Sequence, residues 1–199
     1  MPNRPPGAGA PTTPTSPDSD GELDFTRPRR LSEPSPEAVD SARQEARAGT
    51  PQLQHSGFYV SIARRSPVRI APRNGVKYSL LVVEDDPDLA QLVIDIFMTA
   101  GFEMHWAANR AEVNAEMNRR PSVDLVLLDI VLPDANGLEI LKRIRSHPKL
   151  TKLPVIMMTG KSEASDVAAG LAAGADGYVS KPFQMSGLVK SVKQVLGEA

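Results

Sequence analysis

From residue 77 onward, short apolar runs alternate with stretches in which apolar positions recur every three or four residues. The first run, Tyr78 to Val83, reads as a buried strand. Pro87 follows at a first helical turn, where proline is tolerated. Leu89, Val93, Ile96, Phe97 and Ala100 then stripe a helix that Gly101 ends as a left-handed cap. Phe102 to Trp106 predicts a second strand, and Asn109 with Glu112 an N-cap and capping box for the next helix, which stops before Pro121. A third strand spans Asp124 to Leu128, and Leu138, Leu141 and Ile144 stripe the helix after Asn136 and Gly137. Pro154 to Met158 predicts strand four, and an Ala-rich helix from Ser165 to Ala173 ends at Gly174. Gly177 to Ser180 predicts strand five, and Met185, Leu188, Val192 and Val195 stripe the last helix.

Strands that are apolar almost throughout belong in parallel sheets covered on both faces. Five strand–helix units of this kind predict an α/β fold: a doubly wound, five-stranded parallel sheet of flavodoxin-like order 2-1-3-4-5, with right-handed crossovers.

The first 76 residues have no such rhythm. Of the 18 prolines, 12 fall there, among Ser, Thr, Gly and charged residues. Such a segment buries too little apolar surface to offset the entropy of ordering it. Residues 1–56 are expected to be disordered, and 57–76 to form a solvated basic linker carrying Arg64, Arg65, Arg69 and Arg73, with FYVSI as a candidate short strand. The expected organisation is an extension over 1–76 and one compact domain over 77–199.

Composition removes several chemistries. The chain has no cysteine, so thiolate nucleophiles, thiolate metal sites and disulfides are excluded. The formal net charge is -1, which gives no global field for nucleic acid or anionic membranes. No apolar run reaches the roughly 20 residues that span a bilayer, and the N-terminus has no apolar h-region. A cytoplasmic protein is expected. His55, His105 and His147 are scattered without metal spacing.

The polar residues at the strand ends carry the candidate chemistry. Glu84 and Asp85 follow strand one, Asp129 ends strand three, Thr159 ends strand four and Lys181 follows strand five. Order 2-1-3-4-5 gathers them at the carboxyl edge, where such sheets bind ligands. Three carboxylates in one crevice repel one another unless a cation compensates. Oxygen-only donors in a small site suit Mg²⁺, and Lys181 adds a point charge. A carboxylate nucleophile, a metal, an ammonium and a hydroxyl are the parts needed to accept and hold a phosphoryl group.

LLVVEDDPDLA, DLVLLDIVLPDANGLEIL, PVIMMTG and GADGYVSKPF, in this order and spacing, resemble the response-regulator receiver domain across about 77–199. The resemblance implies that Asp129 is the phosphorylated aspartate. It implies that Asp85 is a direct metal ligand, that Glu84 holds the metal through water, and that the Val131 carbonyl completes the protein ligands. It implies that Thr159 and Lys181 bond the phosphoryl group, that Lys181-Pro182 is cis, and that Tyr178 is the switch aromatic. The implied donor is a phosphohistidine on a histidine kinase or phosphotransfer protein. The implied output is a contact with a downstream target protein through the fourth helix, fifth strand and fifth helix. By the same resemblance Val131 and Lys161, two residues past Asp129 and Thr159, imply slow to moderate self-dephosphorylation, and small Gly160 an open crevice.

Asp86 and Asp88 fit the first turn of a helix, where the dipole favours acids, and Asp134 the loop after Asp129. The last helix carries only Lys190 and Lys193 as cations, and no helix-turn-helix follows it, so DNA binding is not expected. An enzymatic role is not expected either. A phosphohydrolase of this topology would place a second acid at Val131, and a flavodoxin-like carrier would have a phosphate loop where Glu84 and Asp85 stand. The alternative function is a scaffold that uses the same fold without phosphorylation.

Overall fold

The computed structural model describes residues 24, 33–56, 58–59, 77–119, 123–160 and 164–197. In chain order the elements are α1 (Pro36–Ser56), β1 (Phe58–Tyr59), β2 (Ser79–Val83), α2 (Pro87–Thr99), β3 (Glu103–Ala107), α3 (Arg110–Asn118), β4 (Leu125–Asp129), α4 (Gly137–Ser146), β5 (Val155–Thr159), α5 (Ala164–Ala172), β6 (Gly177–Ser180) and α6 (Met185–Leu196). Strands β2 to β6 are the five predicted ones. They pair in parallel as β3-β2-β4-β5-β6, the expected 2-1-3-4-5 order.

The three central strands β2, β4 and β5 are buried at every position, as continuous apolar runs require when helices cover both faces. One face packs Val93 and Phe97 of α2 and Leu188 and Val192 of α6. The other packs Val113 of α3, Ile140 and Ile144 of α4, and Val167 and Leu171 of α5.

Local chemistry sets the helix ends. Asp86 caps α2, accepting hydrogen bonds from the backbone N–H groups of Asp88 and Leu89 at 3.0 and 3.2 Å. Asn109 caps α3 by accepting from the Glu112 N–H at 3.0 Å. The Glu112 carboxylate closes the box one residue earlier than expected, on the Ala108 N–H at 2.7 Å. Gly101 and Gly174 take the positive φ values, 97° and 93°, that let the chain leave α2 and α5 for the next strand.

One feature departs from the expectation. Residues 36–56, expected to be disordered, form α1, whose Ala42 and Ala46 are buried in the core that also holds Val167, Leu171 and Tyr178. Within the expected linker, the candidate strand FYVSI pairs at Phe58–Tyr59 and extends the sheet to six, antiparallel to β6. A mostly polar helix becomes ordered because a partner face on α5 takes its small side chains. Short helices gain most of their stability from such packing rather than from propensity. The four linker arginines and residues 1–23 lie outside the described residues.

Candidate functional site

The carboxyl edge between β2 and β4 carries the site. Backbone pairing sets its floor: the Glu84 N–H donates to the Ala107 carbonyl at 3.0 Å, and Lys181 N–H to the Thr159 carbonyl at 2.7 Å. Glu84, Asp129 and Thr159 are buried, whereas Asp85 faces solvent. One ligand oxygen from each of Glu84, Asp85 and Asp129 lies within 4.8 Å of the others. The Lys181 ammonium donates to Glu84 Oε2 and to Asp129 Oδ2, each at 2.6 Å. The Val131 N–H donates to Asp129 Oδ1 at 3.1 Å. Both oxygens of Asp129 are thus oriented, one by the ammonium and one by the loop.

The electrostatics follow. Burial raises the Glu84 pKa, and the hydrogen bond and charge of Lys181 oppose that rise only in part. For Lys181 burial pulls the pKa down, but its hydrogen bonds to Asp129 and Glu84 and their charges outweigh burial and hold it above the usual lysine value. One ammonium therefore serves two buried carboxylates with a third beside them. The donor set is all oxygen, compact and in surplus negative charge, which fits a hard divalent cation such as Mg²⁺.

The residues named from the sequence, Lys161 apart, can now be placed. Glu84, Asp85, Asp129 and Lys181 come together directly. Thr159 ends β5 one position beyond Met158, the residue that pairs with Asp129. Val131 reaches the site through its backbone while its side chain is exposed. The Lys181-Pro182 peptide is cis. Gly160 is open, with nothing within 4 Å of the place a Cβ would occupy. Lys161 lies outside the described residues. Tyr178 lies away from the carboxylates. It is fully buried under α5, where its hydroxyl donates to the Asp166 carbonyl at 2.9 Å. Burial, then the Asp166 charge, push its hydroxyl well above the usual tyrosine range.

Sequence reasoning missed three contributors. The Trp106 indole N–H donates to the Glu84 carbonyl at 2.8 Å, tying β3 to the acidic turn. A Cβ at Gly137 would overlap the Asp129 carbonyl oxygen, so only glycine lets α4 start against the end of β4. Gly170 makes the same kind of room for the Tyr178 hydroxyl. A tryptophan bonded to a backbone carbonyl leaves no sequence signature. Asn136-Gly137 did signal the helix start, but not its closeness to Asp129.

Comparison with known proteins identifies the family. Residues 80–193 match the family model of the response regulator receiver domain. The chain belongs to that family. Curated relatives include the phosphate regulon transcriptional regulatory protein PhoB of Rhizobium meliloti, 38% identical over 120 residues that make up 60% of this chain and 52% of that protein. The transcriptional regulatory protein CpxR homolog of Haemophilus influenzae is 38% identical over 117 residues, 59% of this chain and 49% of that one. The chain spans about half the length of the curated relatives it matches, so their transcriptional role is not carried over to it. A solved response regulator from Chloroflexus aurantiacus superposes with a TM-score of 0.58 at 34% identity, covering 61% of this chain and 99% of that one. Chemotaxis protein CheY4 of Vibrio cholerae gives 0.58 at 28% identity, covering 61% and 100%. Among the described residues no helix is long and apolar enough to cross a membrane.

Proposed function

We propose that this receiver accepts a phosphoryl group on Asp129 from a phosphohistidine of a histidine kinase or phosphotransfer protein, and passes the signal on as a change in protein contacts. The observation that carries this is the Lys181 ammonium held 2.6 Å from both Glu84 and Asp129 beside Asp85. A carboxylate nucleophile flanked by a fixed cation is poised for phosphoryl transfer, in which catalysis is mostly positioning and charge neutralisation.

In the transfer an Asp129 carboxylate oxygen forms the new P–O bond as the P–N bond to the donor imidazole breaks. The electron pair leaves with the imidazole nitrogen, which takes up a proton. Lys181 keeps one charge on the transferring oxygens, and the Val131 N–H holds the carboxylate plane. Glu84, Asp85, Asp129 and the Val131 carbonyl would hold Mg²⁺, which when bound neutralises the phosphoryl oxygens. Thr159, at the end of the adjacent strand, supplies a hydroxyl to the product. The acyl phosphate adds charge and acceptor oxygens. Thr159 and Tyr178 then bias the α5, β6 and α6 face between two arrangements, a population shift within one fold. The role is regulatory rather than enzymatic, and exposed apolar Val131 disfavours the positioning of a hydrolytic water.

Intact-mass spectrometry after incubation with acetyl phosphate and Mg²⁺ tests the assignment. The expected result is a Mg²⁺-dependent gain of one phosphoryl group, about 80 Da, that is absent in Asp129→Ala. No gain from acetyl phosphate or from a histidine kinase would leave the scaffold reading in its place.

A further inference from the structure

The N-terminal elements do not sit at random on the domain. α1 lies along α5, with Ala42 and Ala46 exposed by only 4% and 1%. Val39, Arg43 and Arg47 flank Ala168, Ala169 and Ala172 across one cleft. β1 adds to β6, the strand that would otherwise be an open sheet edge, pairing Phe58 with Val179 and Tyr59 with Tyr178. The extension thus grips two elements, α5 and β6.

Of those two elements the site holds β6, and β6 is tied in turn to α5 through Tyr178. β6 runs straight into Lys181, whose ammonium bonds Glu84 and Asp129 and whose N–H bonds the Thr159 carbonyl. Tyr178, opposite Tyr59 in the sheet, is tied to α5 through the Asp166 carbonyl and fits only because residue 170 is glycine. A phosphoryl group on Asp129 adds roughly 1.5 to 2 negative charges where Lys181 now divides itself between two carboxylates. The Lys181 bonds must be redrawn, and they lie two residues from the β1 pairing at Val179. Close-packed interfaces fitted to one arrangement lose contacts in another rather than deforming smoothly.

We propose that α1 and β1 form a tethered clasp that occupies the α5–β6 face while Asp129 is unmodified and lets go when Asp129 is phosphorylated, so that a partner protein reaches this face only in the phosphorylated state. The proposal rests on Asp129 being the phosphoryl acceptor. A tether gives the clasp an effective concentration on the order of millimolar, enough to exclude a free partner while it is engaged. α1 is also suited to release. It is largely polar, buries small alanines and carries Pro51 inside the helix, so little holds it helical once it leaves α5. Coupling of this kind is reciprocal: if phosphorylation loosens the clasp, the engaged clasp opposes phosphorylation by the same factor.

Hydrogen exchange on the full chain, read by mass spectrometry with and without acetyl phosphate and Mg²⁺, tests the proposal, with intact mass measured on the same samples. The expected result is exchange at least about tenfold faster across α1 in the phosphorylated fraction, with α3 unchanged and no response in Asp129→Ala. Ala46→Glu and, separately, Ala42→Glu should give fast α1 exchange without acetyl phosphate and a greater extent of phosphorylation at equal donor. A mass gain of one phosphoryl group with unchanged or slower α1 exchange overturns the clasp and leaves the acceptor intact. No mass gain from acetyl phosphate or from a histidine kinase overturns the acceptor and the clasp with it.

Discussion

Lys181 holds two buried carboxylates with one charge, and its removal separates binding from chemistry. Lys181→Met leaves Glu84 and Asp129 facing each other with no cation between them. In Mg²⁺-free buffer the variant is expected to lose about 1–3 kcal/mol of stability in urea titrations. With Mg²⁺ present, phosphorylation by acetyl phosphate is expected to slow by about 10²-fold, the usual loss when one charge-stabilising donor is removed. Unchanged rates would show that Lys181 only balances charge. Gly137→Ala probes the backbone beneath Asp129. The added Cβ must push α4 off the Asp129 carbonyl, at a cost of about 1–3 kcal/mol, and phosphorylation should fall with it. At this scale Glu84, Asp85, Asp129, Thr159 and Lys181 were legible because each is polar at the end of an apolar run. Trp106 and Gly170 were not, since their roles depend on which backbone atom or ring lies opposite.

Among elements, the turns into β5 and β6 are fastened by one arginine. Arg145 of α4 donates to the Gly174 and Leu153 carbonyls at 2.8 and 2.7 Å and to Asp176 Oδ2 at 2.8 Å. The same carboxylate oxygen accepts the Val155 N–H at 2.9 Å. Arg145→Met would take the guanidinium from a buried carboxylate, which keeps the Val155 N–H, and from two carbonyls. Urea denaturation is expected to show a loss of about 3–5 kcal/mol, and a loss under 1 kcal/mol would mean that water replaces the guanidinium. Continuous apolar runs and period-3.6 stripes made the five parallel strands and their helices readable to within a residue or two. They could not reveal α1, because a helix with a narrow alanine contact and interior Pro51 has the composition of a linker. β1 is only two residues long. Its pairing is fixed by an edge strand far away in sequence, so FYVSI alone could only nominate it.

Across the whole molecule, the carboxyl edge gathers the acids that a cation would need. The central strands bring Glu84, Asp85 and Asp129 within 4.8 Å of one another, and only the folded chain does so. A ligand that binds the native state alone stabilises it by RT ln(1 + [L]/Kd), about 2.7 kcal/mol at a hundredfold excess over Kd. Mg²⁺ is therefore expected to raise the melting temperature by several degrees, saturably, whereas the same ionic strength of NaCl should do little, since screening acts weakly on buried charges. Asp85→Asn distinguishes the site from bulk charge effects. Asp85 is exposed and makes no bond to Lys181, so its loss should leave the Mg²⁺-free melting temperature nearly unchanged while removing most of the Mg²⁺ increment. An increment that survives Asp85→Asn would place the cation elsewhere. The reason to expect otherwise is topological: the parallel pairing of β2 with β4 brings Asp129 beside the adjacent pair Glu84 and Asp85 in one oxygen-lined crevice.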